Sequence, residues 1–565
     1  MFHDFRQNGA VLLLGLALAA AGCMTPDRAM RETDRIGTTL AADYRRRVTG
    51  HTNTFSIVRP SDRLRLRLQA GGAVLPGGAA TSAPPAGPLV LSLNEALMAG
   101  ARNSNEYQAS KEAVFSAALA LQLQQHAFEN TFSGLLGAGV SRKESGDEAG
   151  DKTVEQATGN AKATLSRQLA NGASLTAALG LDIVRLLTGD GGSTLGLLGD
   201  ATIKMPLLRG AGRLIVTEPL TQAERNLIYA IYDFETFRQN YAVKVASGYY
   251  NLLEVSQRVL ALQDNQRRLS DNYRRAELLF EAGRMSQVEL DQTRQDLLRT
   301  GDQLVGAEQA RQAQLDAFKL TLGLPVDAAI EIDRRELDRL NLAMGLDPGL
   351  TNAVPEQVPD LPFTEAQALA LALTNRHDLI LARYRLEDAE RAVKIAADAL
   401  RPELTLAGGA SRGQTRAGGR QTGDSATYSL GTELNLPWER SSERNAYRGA
   451  VLALDSAHRA LEMAEDAAKD AVRRGFRDIQ SSWSSFVIQA EALRVAMRRV
   501  RSSDLFQQAG RASTRDVLEA ESALLNARNA LVSAVVNYRM AGLGLFRDLS
   551  ALEISEEGLW REPIN

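Results

Sequence analysis

A single cysteine, Cys23, occurs in this chain of 565 residues, which excludes a fold held together by intrachain disulfide bonds. Aromatic residues make up only 5% of the sequence. The 65 basic residues are balanced by 68 acidic ones, and the resulting net charge of −3 argues against nucleic acid as a partner. After the N-terminal segment, no stretch offers the run of about eighteen apolar residues that a membrane-spanning helix needs.

Motifs of catalysis are also absent from the sequence. The five histidines are scattered, and their spacing does not suit a set of metal ligands. No glycine-rich phosphate loop or nucleophile elbow occurs. The acidic residues Asp147, Glu148 and Asp151 lie in a polar segment that is better explained as a solvated loop than as a calcium site. The sequence thus predicts a protein that is not an enzyme and that holds no metal and no cofactor.

Residues 1–22 have the form of a signal peptide. Arg6 precedes an apolar run at residues 11–21, which is too short to span a bilayer as a permanent helix. Small residues then lead to Cys23, in a pattern similar to the lipobox of bacterial lipoproteins, so we expect Cys23 to be lipidated. Met24 beside it favours the outer membrane. The alternative is an ordinary signal peptide with an incidental cysteine.

Residues 23–90 are interpreted as a lipidated N-terminal tether. A short strand is predicted near residues 55–68, and the Gly-, Ala- and Pro-rich stretch at residues 70–89 indicates a flexible segment.

Two very long segments with helical periodicity dominate the remaining chain. Residues 220–281 contain no proline, and about 60 residues at about 1.5 Å each give a helix of roughly 90 Å. Residues 443–508 are similar, and their apolar stripe favours left-handed coiled-coil packing because its steps alternate between four and three. The first stripe contains Phe234, Phe237, Tyr241, Val245, Tyr249, Leu252, Val255 and Val259, and the second contains Val472, Phe476, Ile479, Trp483, Phe486, Ala490, Leu493 and Met497.

Strands are predicted in two regions that precede these helices. The first region covers residues 132–141, 163–182 and 194–205, with an Asn171-Gly172 turn inside the middle segment. The second covers residues 403–411 and 426–436. Segments of about ten residues suit tilted membrane strands. The alternative is a soluble β-insert.

The same order of cues occurs twice, which indicates an internal duplication. The turn Ala282-Gly283-Arg284-Met285-Ser286 recurs as Ala509-Gly510-Arg511-Ala512-Ser513, and Met205-Pro206-Leu207 corresponds to Leu436-Pro437-Trp438. We therefore predict a first repeat at residues 91–346, a connector at 347–361, a second repeat at 362–555 and a C-terminal tail at 556–565.

This plan resembles that of the TolC-type outer-membrane efflux family over about residues 91–555. The resemblance is carried by Leu93-Asn94-Glu95-Ala96-Leu97 with Asn103, Gln168-Leu169-Ala170-Asn171-Gly172, Met205-Pro206-Leu207-Leu208-Arg209-Gly210, Phe280-Glu281-Ala282-Gly283-Arg284 followed by Glu289, and Leu322-Gly323-Leu324-Pro325.

The resemblance implies a mainly α fold with a membrane β-barrel. Very long coiled-coil helices would form a trimeric α-barrel tunnel, and the strands of the homotrimer would form one shared β-barrel in contact with outer-membrane lipids. The partners implied are a periplasmic adaptor (membrane fusion protein) and an inner-membrane pump of the ion-driven RND type or the ATP-driven ABC type. The location implied is the outer membrane of a Gram-negative bacterium, with a lipid anchor and a large periplasmic portion.

The resemblance also assigns candidate site residues. The two turns, Ala282, Gly283 and Arg284 with Ala509, Gly510 and Arg511, correspond to the tips that meet the adaptor. Glu289 occupies the position of an acidic residue that helps to latch the periplasmic entrance in family members. Its usual Tyr and Arg partners are replaced here by Gln507 and Ala512, which leaves Arg511 as the candidate cationic partner. Trp438 is a candidate membrane-interface aromatic, and packing at the junction of strand and helix is the alternative.

The expected function is a passive exit duct for drugs, metals or other small solutes, which works with the pump and the adaptor. One alternative is a type I secretion duct for polypeptide or polysaccharide. Another is a structural envelope lipoprotein that conducts nothing. The extra length of the first strand region, compared with the family's usual four strands per protomer, indicates either an added hairpin in the sheet or an extramembrane flap.

Overall fold

The computed structural model describes residues 24–50, 55–59, 64–69, 89–147, 150–186, 193–346, 358–359, 361–417, 420–509, 511–555 and 557–561. The predicted signal peptide, Cys23, Glu148, Gly510 and most of the connector lie outside these residues, as does nearly all of the stretch at 70–89.

The described residues form twelve helices and ten strands. Up to the end of the first long helix these are α1 (Pro26–Thr49), α2 (Leu64–Gln69), β1 (Leu89–Leu91), α3 (Leu93–Asn103), α4 (Asn105–His126), β2 (Thr131–Asp147), β3 (Gly150–Gln168), β4 (Ser174–Leu186), β5 (Ser193–Pro206), α5 (Arg213–Val216) and α6 (Glu218–Glu281). They continue with α7 (Gln287–Leu322), β6 (Ile330–Ile332), α8 (Arg335–Ala343), α9 (Glu365–Asn375), α10 (His377–Asp398), β7 (Glu403–Ala417), β8 (Arg420–Asn435), α11 (Ser441–Gln508), α12 (Thr514–Asp548), β9 (Glu553–Ile554) and β10 (Trp560–Arg561).

The chain divides into two compact units. A sheet unit comprises Met1–Phe55, Ala113–Ile231 and Arg383–Ala460, and a helical unit comprises Ser56–Glu112, Tyr232–Ala382 and Leu461–Asn565. The two long helices contribute residues to both units. Helix α6 has 64 residues and α11 has 68, which correspond to about 96 and 102 Å at the usual rise.

The sheet unit is built on six antiparallel strands in the order β2-β3-β4-β5-β7-β8. The predicted strands are confirmed, and each is longer than its apolar pattern indicates. The Asn171-Gly172 turn is also confirmed, because Gly172 has a φ of +96° and the Leu169 N–H donates to Ala173 O at 2.8 Å. An added Cβ on Gly172 would lie 2.8 Å from Pro206 Cγ, so glycine is required here for space as well as for conformation. Asp147 and Asp151 lie in strands β2 and β3 rather than in a loop.

Helix α1 packs inside the sheet unit. Ala41 and Gly37 are buried, and an added Cβ on Gly37 would come within 2.5 Å of the Phe115 ring. The prediction of a short strand near residues 55–68 is wrong. Residues 55–59 form no strand, and Leu64–Gln69 is the helix α2, since an alternation of Leu and Arg over six residues suits either structure.

The helical segment that opens each repeat is divided in two. The breaks occur at Ser104, with φ −63° and ψ 133°, and at Arg376, with φ −62° and ψ 124°. At the first break, Asn103 lies buried, donates to Ala99 O at 2.7 Å and accepts from the Arg65 N–H at 3.0 Å. Local side-chain bonding of this kind competes with helix continuation, and neither proline nor glycine marks it in the sequence.

Capping boxes occur at corresponding positions of the two halves of the described chain. Ser92 with Glu95 begins α3 and Thr364 with Gln367 begins α9. Ser286 with Glu289 begins α7 and Ser513 with Asp516 begins α12. Each pair satisfies two free N–H groups of a helix start, so the duplication extends to the local chemistry of the helix ends.

The core of the helical unit follows the predicted stripes. Tyr249, Val245 and Leu252 of α6 are almost completely buried, and so are Val472, Ile479, Trp483 and Phe486 of α11. Met497, at the end of the second stripe, is 40% exposed. Among the helices that are described, none has an apolar stretch of the length and hydropathy required to cross a membrane.

Candidate functional site

The two predicted turns share one backbone arrangement where their atoms are described. After α6, Gly283 has a φ of +69° and the Arg284 N–H donates to Leu279 O at 2.8 Å. After α11, the Arg511 N–H donates to Phe506 O, also at 2.8 Å. A hydrogen bond from an N–H to the carbonyl oxygen five positions earlier is typical of a helix end at which the chain reverses through a residue with positive φ. Residues Ala282, Arg284, Ala509 and Arg511 are exposed in these turns, whereas Gly510 lies outside the described residues.

Glu289 has a defined structural role at the start of α7. Its Oε2 accepts from the Ser286 N–H at 3.0 Å and from Ser286 Oγ at 2.9 Å, and its own N–H donates to Ser286 Oγ at 3.3 Å. These hydrogen bonds lower the pKa of the Glu289 carboxyl, although the group is solvent-exposed. The corresponding box at Ser513 and Asp516 has the same bonds, and the pKa of Asp516 is lowered for the same reason.

The structure does not bring the predicted latch together within one chain. Among the described residues, the hydrogen bonds of the Glu289 carboxylate go to Ser286 and not to Arg511. Gln507 instead donates to Thr514 Oγ1 at 3.5 Å, and Ala512 is partly buried at the turn.

Glu289→Gln is expected to leave antibiotic permeability unchanged, because a glutamine at this position still accepts both hydrogen bonds from Ser286. Glu289→Ala removes the acceptor and is expected to loosen the first turn of α7. The carboxylate box forms above the lowered pKa of Glu289 and is lost as the pH falls through it, whereas the glutamine box does not depend on pH. Permeability to a large antibiotic measures the closed state, and Asp516→Asn is the matched control. An ionic latch would be indicated if Glu289→Gln alone made cells permeable.

The six-stranded sheet has one apolar face and one mainly polar face, which also carries Leu135, Leu186 and Leu198. The register of the ladders, together with the alternation of side chains along each strand, assigns every residue to a face. The apolar face carries Phe132, Leu136, Val140, Ala161, Leu165, Leu175, Leu179, Leu181, Ile183, Leu195, Leu197, Ile203, Met205, Leu404, Leu406, Tyr428, Leu430 and Leu434. The opposite face carries Ser133, Asn160, Lys162, Thr164, Thr176, Asp182, Asp200, Thr202, Lys204, Ser411, Thr427, Ser429 and Glu433.

The apolar face is uncovered in the single chain. Tyr428 is 82% exposed, Leu430 is 80% exposed and Leu179 is 67% exposed. A monomeric soluble protein rarely exposes a contiguous apolar surface of this extent, so the face is expected to contact lipid or another apolar partner.

Trp438 lies directly after the sheet, between β8 and α11, and is 98% exposed. It therefore does not pack at the junction of strand and helix within its own chain. An indole that is free of packing contacts beside an apolar sheet suits the boundary between lipid and water.

A buried polar cluster between α6, α7 and α12 was not predicted. Arg268 Nε donates to Glu521 Oε2 at 2.8 Å, and Glu521 is only 5% exposed. Glu521 lines a cavity together with Asn265, Arg299 and Thr300, and Asn265 Oδ1 is buried there. One signal for this cluster exists in the sequence, because Glu521 follows Val517 and precedes Leu524 on the buried stripe of α12.

Within the part of the chain that the structure describes, no group of three or more His, Cys, Asp or Glu side chains could hold a metal ion.

Comparison with known proteins places this architecture in a family. Residues 212–324 and 368–547 match the family described as "Outer membrane efflux protein". The chain is 24% identical over 249 residues to the outer membrane efflux protein BepC of Brucella suis biovar 1 (strain 1330), and this alignment covers 44% of the chain and 54% of BepC. The chain thus spans about half the length of this curated relative.

Solved structures share the fold. The CmeC outer membrane channel of Campylobacter jejuni matches with a TM-score of 0.57 at 16% identity, covering 81% of this chain and 85% of that one. The outer membrane protein VceC of Vibrio cholerae matches with a TM-score of 0.58 at 16% identity, covering 81% of this chain and 95% of that one. Together with the duplicated long helices and the shared sheet, the matched residues show that this chain belongs to the outer membrane efflux protein family.

Proposed function

We propose that three copies of the chain assemble an outer-membrane exit duct, which conducts small solutes from an inner-membrane pump and a periplasmic adaptor to the exterior. The observation that supports this proposal most is the six-stranded sheet with one continuous apolar face. It occurs in a chain whose two repeats each include a helix of more than 60 residues. In lipid every backbone polar group needs a partner, so a sheet is stable there only when its edges are paired. Three copies pair all edges by closing the sheet.

The polar face of the sheet supports conduction. In the closed sheet the apolar face contacts acyl chains, and Lys162, Asp182, Asp200, Lys204 and Glu433 face the lumen. The five side chains carry both signs of charge, so the lumen accommodates hydrated solutes without a strong preference for one sign. The duct performs no chemistry, and cargo is chosen by the pump.

Anchoring and docking are part of the proposal. Lipidated Cys23 would hold the chain at the outer membrane, and Trp438 would lie at the boundary of the bilayer. The turns at Ala282, Gly283 and Arg284 and at Ala509, Gly510 and Arg511 would receive the adaptor. Support comes from their paired geometry and from the exposure of both arginine side chains.

Trimer formation, channel conductance and drug sensitivity test the proposed duct. Purified protein is expected to migrate as a trimer and to form channels in planar bilayers, and deletion of the gene is expected to sensitise cells to drugs or metals. A structural lipoprotein would form no channels, and a secretion duct would lose a secreted polymer on deletion while drug sensitivity stayed unchanged.

Docking is tested by charge reversal in the turns. Arg284→Glu combined with Arg511→Glu is expected to sensitise cells to exported compounds as strongly as gene deletion, because the exposed arginines would meet the adaptor. Channels in planar bilayers should be retained, since neither side chain is buried. Arg267→Glu is the matched control, because Arg267 is 79% exposed on α6 outside the turns. Normal export by the double variant would exclude these arginines from docking.

A further inference from the structure

The two repeats contribute unequally to the sheet. The second repeat supplies the single hairpin β7–β8, whereas the first supplies β2, β3, β4 and β5. In the second repeat β7 follows a helix and β8 precedes the long helix, and in the first repeat β2 and β5 occupy those places. The pair β3–β4 is therefore the addition. Because β3 pairs with β2 and β4 pairs with β5, the addition lies inside the sheet rather than beside it as a flap.

The added strands continue both faces of the sheet. Ladder partners place Leu165 of β3 beside Phe132 of β2, and Leu179 of β4 beside Ala163 of β3. The next ladder places Ile203 of β5 beside Leu175 of β4. The inserted hairpin thus has the same amphipathic pattern as its neighbours, which an unrelated extramembrane insert would not need.

The apolar face has the height of a bilayer core. It extends from residue 132 to 140 in β2, from 157 to 165 in β3 and from 175 to 183 in β4, or about nine residues in each strand, close to the number that a tilted membrane strand needs. The apolar band ends before the β2–β3 and β7–β8 turns. Beyond that end the same face carries ion pairs, at 3.5 Å between Arg142 and Glu155 and at 3.1 Å between Arg412 and Asp424. Acyl chains are the occupant that such a bounded apolar band fits.

The two edges of the sheet are long and unpaired within the described strands. Strand β2 has 17 residues and pairs only with β3, and β8 has 16 residues and pairs only with β7. Long edges of this kind accept a further strand. A second copy of this chain provides one, by pairing its β2 with β8 of its neighbour.

We infer that the closed sheet of the trimer has eighteen strands, six from each chain, and that the inserted hairpin widens the outer-membrane opening. This inference rests on the proposed trimeric duct. With strands about 4.8 Å apart and tilted by about 40°, eighteen strands give a diameter of about 36 Å, whereas twelve give about 24 Å. The opening therefore passes bulkier solutes than a sheet of four strands per chain would pass.

Distances between spin labels test the width. A spin label is attached at Ser429→Cys in a protein that also carries Cys23→Ser, so the trimer holds three labels. The three labels form a triangle whose sides are about 31 Å for eighteen strands and about 21 Å for twelve. The matched variant removes residues 148–192 and joins Asp147 to Ser193 through an Asn-Gly turn. It is expected to give a distance about 10 Å shorter. Equal distances in the two proteins would overturn the inference.

Lipid contact in the full chain gives an independent measurement that does not depend on the deletion variant. Labels at Leu179→Cys and at the adjacent Ala178→Cys lie on opposite faces of β4. The first is expected to be accessible to oxygen from the bilayer and the second to a water-soluble nickel complex. Equal access of both labels to the nickel complex would place the hairpin outside the membrane. A protein that conducts as a trimer with twelve-strand distances would overturn the inference alone, whereas a chain that forms neither trimers nor channels would overturn the proposed duct as well.

Discussion

Arg238→Ala is expected to destabilise the helical unit by about 3–5 kcal/mol, because it breaks a buried ion pair from one side only. Arg238 is 2% exposed and forms an ion pair with Glu235, which is 7% exposed. Its Nη2 also donates to Ile554 O at 2.5 Å and to Ser555 O at 2.8 Å. The substitution removes the positive charge beside the buried Glu235 carboxylate and the N–H donor of the two carbonyl oxygens.

The loss of these contacts should be measurable in the C-terminal segment. Gln239 Nε2 also donates to this segment, at 3.2 Å from Leu552 O, so two neighbouring side chains of α6 hold the segment around β9. Arg238→Ala is expected to increase hydrogen exchange and protease cleavage at residues 551–561 and to lower the temperature at which the helical unit unfolds.

A matched control and a rescue separate the ion pair from general damage. Lys244→Ala removes a contact of Lys244 with Glu106, but these side chains are 51% and 59% exposed, so a loss of less than about 1 kcal/mol is expected. Arg238→Ala combined with Glu235→Gln should recover part of the stability, because the buried charge is then removed as well. Equal unfolding temperatures for Arg238→Ala and Lys244→Ala would contradict the assignment.

Periodic patterns made the long elements predictable from the sequence. Helices α6 and α11 follow apolar steps of three and four over many turns, and the Asn171-Gly172 turn requires a residue with positive φ. The first part of β3 was missed because residues 150–156 lie beyond the apolar band, and because Ala157, Gly159 and Ala161 form the band with small side chains that give little apolar alternation. Alternation of apolar side chains therefore indicates where a strand contacts apolar surroundings, and it does not indicate the full length of the strand.

Contacts between distant residues could not be predicted. Arg238 and Ile554 are 316 positions apart, and only the packed fold brings them together. The place of Glu289 in a capping box is visible in the sequence as Ser-x-x-Glu, but the same residue also fits the position of a latch. The sequence indicates the turns as candidate sites, and the geometry shows that Glu289 caps a helix, a role that competes with that of a latch.

Leu430→Arg is expected to abolish the trimer in the outer membrane, whereas Ser429→Arg, one residue away, should be tolerated. Leu430 lies near the middle of the apolar band of β8 and is 80% exposed, so in the proposed duct its side chain faces acyl chains. An arginine at the bilayer midplane on the lipid face of a membrane strand costs about 2–4 kcal/mol in each chain. The cost applies three times in a trimer, which makes this the largest effect expected from one substitution in the sheet.

Ser429 is on the opposite face of the same strand, beside Gly409 of β7. An arginine there faces the water-filled lumen, so the trimer should persist and the three added positive charges should shift the ion selectivity of the channels toward anions. Outer-membrane trimer yield and the reversal potential in a salt gradient measure the two outcomes. Loss of the trimer in Ser429→Arg and normal assembly of Leu430→Arg would mean that the faces of the sheet are reversed, and the polar face would then have no role in conduction.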